Sequence, residues 1–275
     1  MAGGEGKRFW PMSTRDKPKQ FITLTGEKSL IRQTVDRIKP LIPIENIYVV
    51  TLERYAEETL KQVPELAESN LVLEPEGKNT APCIALGTLR IQKDHGDCVM
   101  VVLPADHAIS DDDLFRETLS FASDAAMKEL ENGGYPLVTL GIMPLSPETG
   151  YGYIKSGDRE IASNEGLKAF LVEKFMEKPG RKTAEKFLSE GGYYWNSGIF
   201  VWKTVSILRA FSEILPDWYA KFTLLSENLG LSSERESVSE FYSGICAGSI
   251  DTEILEHSEN TAVVPASFKW SDVGS

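Results

Sequence analysis

Over the first 134 residues, short β-branched runs alternate with stretches whose apolar positions recur at helical spacing. Ile47–Thr51, Leu71–Leu73 and Val99–Leu103 are apolar at successive positions, the pattern of strands buried on both faces. Between them the spacing predicts helices over 28–38, 53–63, 80–93 and 113–131. Strands joined by helices in this order predict parallel pairing. The third helix starts at Asn79 or Thr80, a suitable N-cap, with Pro82 in its first turn, where a missing N–H costs little. That helix end is placed to face a ligand.

Beyond residue 134 the pattern is more mixed. Leu137–Ile142, Tyr151–Lys155, Leu167–Met176 and Tyr193–Trp202 read as strands. A helix near 180–190 stops at Gly191-Gly192, and a helical stretch over 204–228 is interrupted at Pro216. The polar tract Ser226–Ser239 predicts a loop or a frayed helix inside the domain, because patterned sequence follows it. The fold class expected is α/β, a Rossmann-like mixed and mostly parallel sheet flanked by helices. No internal repeat is visible.

With 275 residues, 41% of them hydrophobic, the chain can bury a large core as one domain. A net charge of −12 argues against general nucleic-acid or anionic-membrane binding. Cys83, Cys98 and Cys246 are odd in number and lack CxxC spacing, so reduced thiols in a cytoplasmic protein are expected. No apolar run approaches the roughly 20 residues that span a bilayer. The chain carries no charged-then-apolar export segment ahead of its glycines.

Within this acidic chain, Gly3, Gly4 and Gly6 are followed at once by Lys7 and Arg8, then by Lys17 and Lys19. Glycines let backbone N–H groups approach phosphate oxygens, and the cations neutralise their charge. The spacing matches neither G-x-x-x-x-G-K-[ST] nor G-x-G-x-x-G. Asp106 follows the run 99–103 and so stands at the C-terminal end of a strand, where open α/β sheets hold ligands and where Mg²⁺ is well served. His107 reads as structural, since a phosphate dianion needs no general base to attack.

The segment Ala-Gly-Gly-x-Gly-x-Arg-x-Trp-Pro-x-Ser with Pro-Lys-Gln-Phe at 18–21 resembles the signature of sugar-nucleotide pyrophosphorylases, most closely the mannose-1-phosphate guanylyltransferases. Glu74-Pro75, Asn79–Pro82, Pro104–His107, Gly150–Ile154, Glu177–Pro179, Trp195–Phe200 and Trp270–Ser275 extend the resemblance in the family's order. The resemblance implies a GT-A-like nucleotidyltransferase domain over 1–275, with a nucleotide-binding part of about 1–134 and a sugar-phosphate-binding part of about 135–275. It implies GMP transfer from GTP to mannose 1-phosphate with Mg²⁺. The alternatives are glucose 1-phosphate with UTP or dTTP, and a catalytically weak nucleotide-sugar-binding subunit.

Carried over residue by residue, Arg8 and Lys19 would hold the triphosphate, with Gly3, Gly4 and Gly6 completing the cradle. Asp106 and Asp272 would hold Mg²⁺. Glu74, Asn79 and Thr80 would lie at the base, and Gly152, Glu177, Lys178 and Asn196 at the sugar phosphate. Lys7 and Lys78 depart from the family's usual Thr and Arg; Lys7 is expected to face solvent. Tyr151, Tyr153 and Trp195 are expected to be ordinary core or edge aromatics. The family's first strand is expected to be absent, because only Met1 precedes Ala2. The family's β-helix and isomerase domains are likewise not expected within this chain. A homodimer is compatible with the sequence without being required by it.

Overall fold

The computed structural model describes residues 1–4, 11–15, 17–24, 26–164 and 166–273. Its strands are β1 (Val49–Leu52), β2 (Leu71–Glu74), β3 (Val99–Val102), β4 (Ala108–Ser110), β5 (Leu137–Ile142), β6 (Tyr153–Asn164), β7 (Leu167–Met176), β8 (Tyr193–Lys203), β9 (Thr261–Ala266) and β10 (Lys269–Ser271). The helices are α1 (Leu30–Ile38), α2 (Ala56–Gln62), α3 (Thr80–His95), α4 (Asp112–Ala126), α5 (Arg181–Glu190), α6 (Thr204–Ile214), α7 (Pro216–Asn228) and α8 (Glu234–Ser243).

The six-stranded sheet has the order β3-β8-β5-β9-β7-β6, while β1 and β2 form a parallel pair beside it. The mixed, helix-flanked sheet is as expected, but the balance of strand contacts is not. Strands β3, β5, β9 and β6 run one way and β8 and β7 the other. Because reversed β8 is wedged between β3 and β5, and reversed β7 between β9 and β6, only β5–β9 is a parallel contact within this sheet. Pairing between sequence-distant strands does not register in local periodicity, which is why the sequence suggested a mostly parallel sheet.

Alternation along the central strands divides the core into two layers. Val138, Leu140, Val201 and Val264 pack with Phe115, Leu119 and Ala122 of α4, together with Ile31 and Val35 of α1. On the opposite face, Leu137, Trp202, Val263 and Met100 pack with Ile84 and Leu86 of α3, Phe211 of α6, Phe222 of α7 and Phe241 of α8. Each buried Phe or Trp contributes roughly 1.5–3 kcal/mol through removal of apolar surface from water. The polar tract expected as loop or frayed helix thus holds α8, which turns Val238, Phe241 and Tyr242 inward.

Local signals explain several boundaries. The Asn79 side chain accepts from Thr80 N–H at the start of α3, and Asp111 caps α4 by accepting from Leu114 N–H at 3.3 Å. Helix α5 ends at Gly191, whose φ of +67° is open to a residue without Cβ.

Met1 and Ala2 lie between β1 and β3. The Met1 ammonium donates to the Leu103 carbonyl at 2.8 Å, Ala105 N–H to the Met1 carbonyl at 3.0 Å, and Ala2 N–H to the Val50 carbonyl at 2.8 Å. An apolar furrow of about 320 Å³ runs there, lined by Ile31, Val35, Val49, Ile84, Val99 and Val101.

Candidate active site

The described candidate residues converge on one open cleft of about 1410 Å³. Gly3, Gly4, Lys19, Glu74, Asn79, Thr80, Asp106, Gly152, Glu177, Lys178, Asn196 and Asp272 all line it. Gly6, Lys7 and Arg8 lie outside the described residues.

Within the cleft, the Lys19 ammonium donates to Asp106 Oδ2 at 3.1 Å and also to the backbone carbonyl of Asp272. Residues 87 and 253 positions away are thereby gathered on one buried cation. Lys19 opens a 3-10 turn, Lys19–Phe21, whose three side chains are all buried. Asp106 follows the end of β3, the position at which an α/β sheet presents ligand-binding groups. Tyr151 donates its hydroxyl to Asp272 Oδ1 at 2.9 Å and sits edge-on to Trp195 and Trp270. The expectation of Tyr151 as ordinary core therefore needs correction: its ring packs in the aromatic cluster while its hydroxyl serves the cleft. His107 accepts from Trp270 Nε1–H at 3.1 Å, and burial lowers its pKa, so it is held neutral.

Among the described residues, no group of three or more His, Cys, Asp or Glu is placed to hold a metal by itself. The Asp106 carboxylate on Lys19 and the Asp272 carboxylate on Tyr151 instead form an incomplete set of hard oxygen ligands. Such a set fits a cation that takes its remaining ligands from phosphate and water.

Glu74 forms the floor at one end. It is buried, accepts from the Tyr242 hydroxyl at 2.8 Å, and lies so close to Gly3 that a Cβ there would fall 2.7 Å from its Oε2. Burial pushes its carboxyl up to about 7, a rise only partly offset by the Tyr242 hydrogen bond. A carboxyl with a raised pKa holds its proton more tightly folded than unfolded. Its contribution to stability is full below its ordinary value of 4.5 and is lost as the pH rises through about 7. Glu74→Gln keeps the acceptor for Tyr242 and should flatten that slope. The expected gain is about 3 kcal/mol at pH 8 and little at pH 4.5, measured by urea denaturation. Equal slopes in the two proteins would show that Glu74 does not titrate there.

Two neighbours of Glu74 are committed elsewhere. Lys78 donates its ammonium to the carbonyls of Tyr242 and Ile245, at 2.5 and 3.0 Å, so its charge is spent closing the end of α8. Thr80 Oγ1 accepts from Ile250 N–H at 2.8 Å, while Ala81 N–H donates to the Gly248 carbonyl. These bonds tie the start of α3 to the segment 247–251, which forms part of the cleft wall.

At the other end, Gly152 gives room to a carboxylate as Gly3 does: a Cβ there would lie 2.6 Å from Glu177 Oε2. Lys178, at a φ of +44°, is exposed and ion-pairs with Glu177. Asn196 is held on three sides. Its Oδ1 accepts from the Thr139 hydroxyl at 3.0 Å and from Gly198 N–H at 3.3 Å, and its Nδ2 donates to Asp251 Oδ1 at 2.7 Å. The sequence reading missed Asp251, as it did Arg15, Ser249 and Thr252, which also line the cleft. No motif marks Asp251, and its place depends on one turn of π-helix, Asp251–Leu255.

A mixed sheet flanked by helices, with a buried lysine, two acids and two glycines that each face a carboxylate in one cleft, is the architecture of an α/β nucleotidyltransferase fold. Its family follows from comparison: the chain belongs to the nucleotidyl transferase family, whose model matches residues 1–275. It is 38% identical over 281 residues to a mannose-1-phosphate guanylyltransferase of Salmonella typhimurium (strain LT2), covering 100% of this chain and 57% of the relative. It is 37% identical over 284 residues to one of Escherichia coli (strain K12), with the same coverage. The chain thus spans a little over half the length of these curated relatives. A crystal structure titled mannose-1-phosphate geranyltransferase, from Thermus thermophilus, superposes with a TM-score of 0.84 at 34% identity, covering 100% of this chain and 75% of that one. No described helix is long and apolar enough to cross a membrane.

Proposed function

We propose that the cleft transfers GMP from GTP to mannose 1-phosphate, giving GDP-mannose and pyrophosphate. The observation that carries this reading is the Lys19 ammonium bound to the Asp106 carboxylate and the Asp272 backbone carbonyl in a cleft that Glu74 and Glu177 also line. The relatives' names supply the sugar and the base. In this reading residues of about 1–134 supply most of the nucleotide end and those of about 135–275 most of the sugar-phosphate end.

A phosphate oxygen of the sugar 1-phosphate attacks the α-phosphorus in line. The new P–O bond forms as the bond from the α-phosphorus to the bridging oxygen breaks, and that electron pair leaves with pyrophosphate. The attacking phosphate arrives ionised, so no general base is needed, in keeping with a neutral, buried His107. The chain has to bring two polyanions together and hold the line of attack. Lys19 and Arg8 neutralise the triphosphate, with backbone amides of Gly3, Gly4 and Gly6 around it. Asp106 and Asp272 would hold Mg²⁺, which supplies charge neutralisation on the transferred phosphate and the leaving pyrophosphate. At the base, Glu74 offers the acceptors that guanine's N1–H and N2–H donors require, beside Asn79 and Thr80. At the sugar, Glu177 accepts from hydroxyls, Asn196 donates through its second amide N–H, Gly152 allows close approach and Lys178 meets the phosphate.

Pyrophosphate release from a panel of GTP, UTP and dTTP with mannose and glucose 1-phosphates, in Mg²⁺ and in EDTA, tests the proposal. Turnover restricted to GTP with mannose 1-phosphate, and lost in EDTA, is expected. Preference for another pair would reassign the substrates, and GDP-mannose binding without turnover would mark a binding subunit. Gly152→Ala should displace Glu177 and raise the KM for the sugar phosphate about 10-fold, leaving the KM for the nucleotide unmoved. A rise in the nucleotide KM alone would exchange the two ends of the cleft.

A further inference from the structure

Asn196 has little freedom left to recognise a ligand. The Thr139 hydroxyl and Gly198 N–H fill its amide oxygen, and one amide N–H is given to Asp251. What it can still offer the cleft is one donor. A sugar hydroxyl is donor and acceptor at once, so a subsite that orients hydroxyls also needs acceptors fixed in place. Glu177 is one. Of the further carboxylates lining the cleft here, Asp251 and Glu253, Asp251 takes one amide N–H of Asn196 at 2.7 Å and lies close enough to feel the charge of Glu177.

Asp251 is held from several directions. The residue before it donates its N–H to Thr80 Oγ1 at 2.8 Å, and the residue after it donates its N–H to Ser249 Oγ at 3.1 Å. An ionised carboxylate has about four acceptor positions, and Asn196 uses one of them on Asp251. A half-buried carboxylate gains when its remaining capacity meets a donor.

We propose that Asp251 is a further sugar-binding residue: its carboxylate accepts a ring hydroxyl beside the one accepted by Glu177, so that the pair reads two neighbouring hydroxyls while Asn196 donates to one of them. This rests on the sugar-phosphate reading of the cleft and adds a ligand to it. Ordinary burial together with the Glu177 charge pushes the Asp251 carboxyl up to about 6, with the Asn196 hydrogen bond and the Lys178 ammonium pulling the other way. Glu253 and Glu256 lie on the same turn, and Glu256 accepts from Glu177 N–H at 2.8 Å. The ionised form is the better acceptor, so sugar affinity rises as the pH is raised through about 6.

The test compares GDP with GDP-mannose by calorimetry, so that it needs no turnover. In the parent protein the mannose increment should exceed about 10-fold in Kd at pH 8 and shrink at pH 5. In Asp251→Asn and Asp251→Ala the increment should collapse to within about 3-fold and lose its pH dependence, with GDP affinity unchanged. Single-deoxy GDP-mannose analogues complete a double-mutant cycle: one should bind the parent about 10-fold more weakly than GDP-mannose and bind Asp251→Asn equally well. An increment preserved in both variants overturns the inference, as does a parent that gains nothing from the sugar. Absent turnover with an intact, Asp251-dependent increment would instead sink the transferase reading and leave this one standing.

Discussion

Asp106→Asn is expected to lower the rate of pyrophosphate release at least about 1000-fold while leaving nucleotide affinity, measured without metal, within a few-fold of the parent. Asparagine keeps the size and one carbonyl oxygen, so the Lys19 ammonium, 3.1 Å from Asp106 Oδ2, retains an acceptor. The fold has little to lose, because the Asp106 side chain is 35% exposed and such pairs contribute up to about 1 kcal/mol. What disappears is negative charge at the end of β3, which the proposed reading needs for sharing a hard cation with phosphate oxygens. Single-turnover pyrophosphate release beside a nucleotide titration separates the two effects. Near-normal rates would remove Asp106 from the chemistry.

Lys19→Ala is expected to cost about 100-fold in kcat/KM for the nucleotide and under about 5-fold in KM for the sugar phosphate. One charge-assisted hydrogen bond lost from a buried site is worth about 1.5–3 kcal/mol, which corresponds to roughly 10- to 150-fold. The ammonium is 7% exposed in its side chain and already neutralises Asp106, so the variant also leaves Asp106 without its cation and the Asp272 carbonyl without its donor. Lys19→Arg should not rescue it. A planar guanidinium needs a different space from a compact ammonium, and this side chain is buried against Asp106 and the Asp272 carbonyl. Competition binding with both substrates checks the ranking. If the sugar phosphate suffers more, Lys19 serves the other anion.

Much of this arrangement was legible in the chain, because it is written in local chemistry. An apolar run followed by Asp106 places that residue at a strand end, Asn79 ahead of an apolar helix reads as a cap, and Gly191 closes a helix whatever the tertiary context. Other features depend on residues far apart in sequence. Nothing near Lys78 says that its charge closes α8, 164 residues away. The inward face of α8 was masked by a Ser- and Glu-rich surface, and the reversal of β8 between β3 and β5 comes from pairing across about 60 and 100 residues. Tyr151 looks like core because most of it is, and only its hydroxyl belongs to the cleft. Asp251 carries no signature; its place beside Asn196 is visible only once the chain has folded.

The stretch from Tyr242 to Asp251 touches both ends of the cleft: Tyr242 steadies Glu74, Ile250 is pinned to the cap of α3, and Asp251 grips Asn196. A single ten-residue span therefore braces both Glu74 and Asn196, so a break within it is expected to unseat the two together.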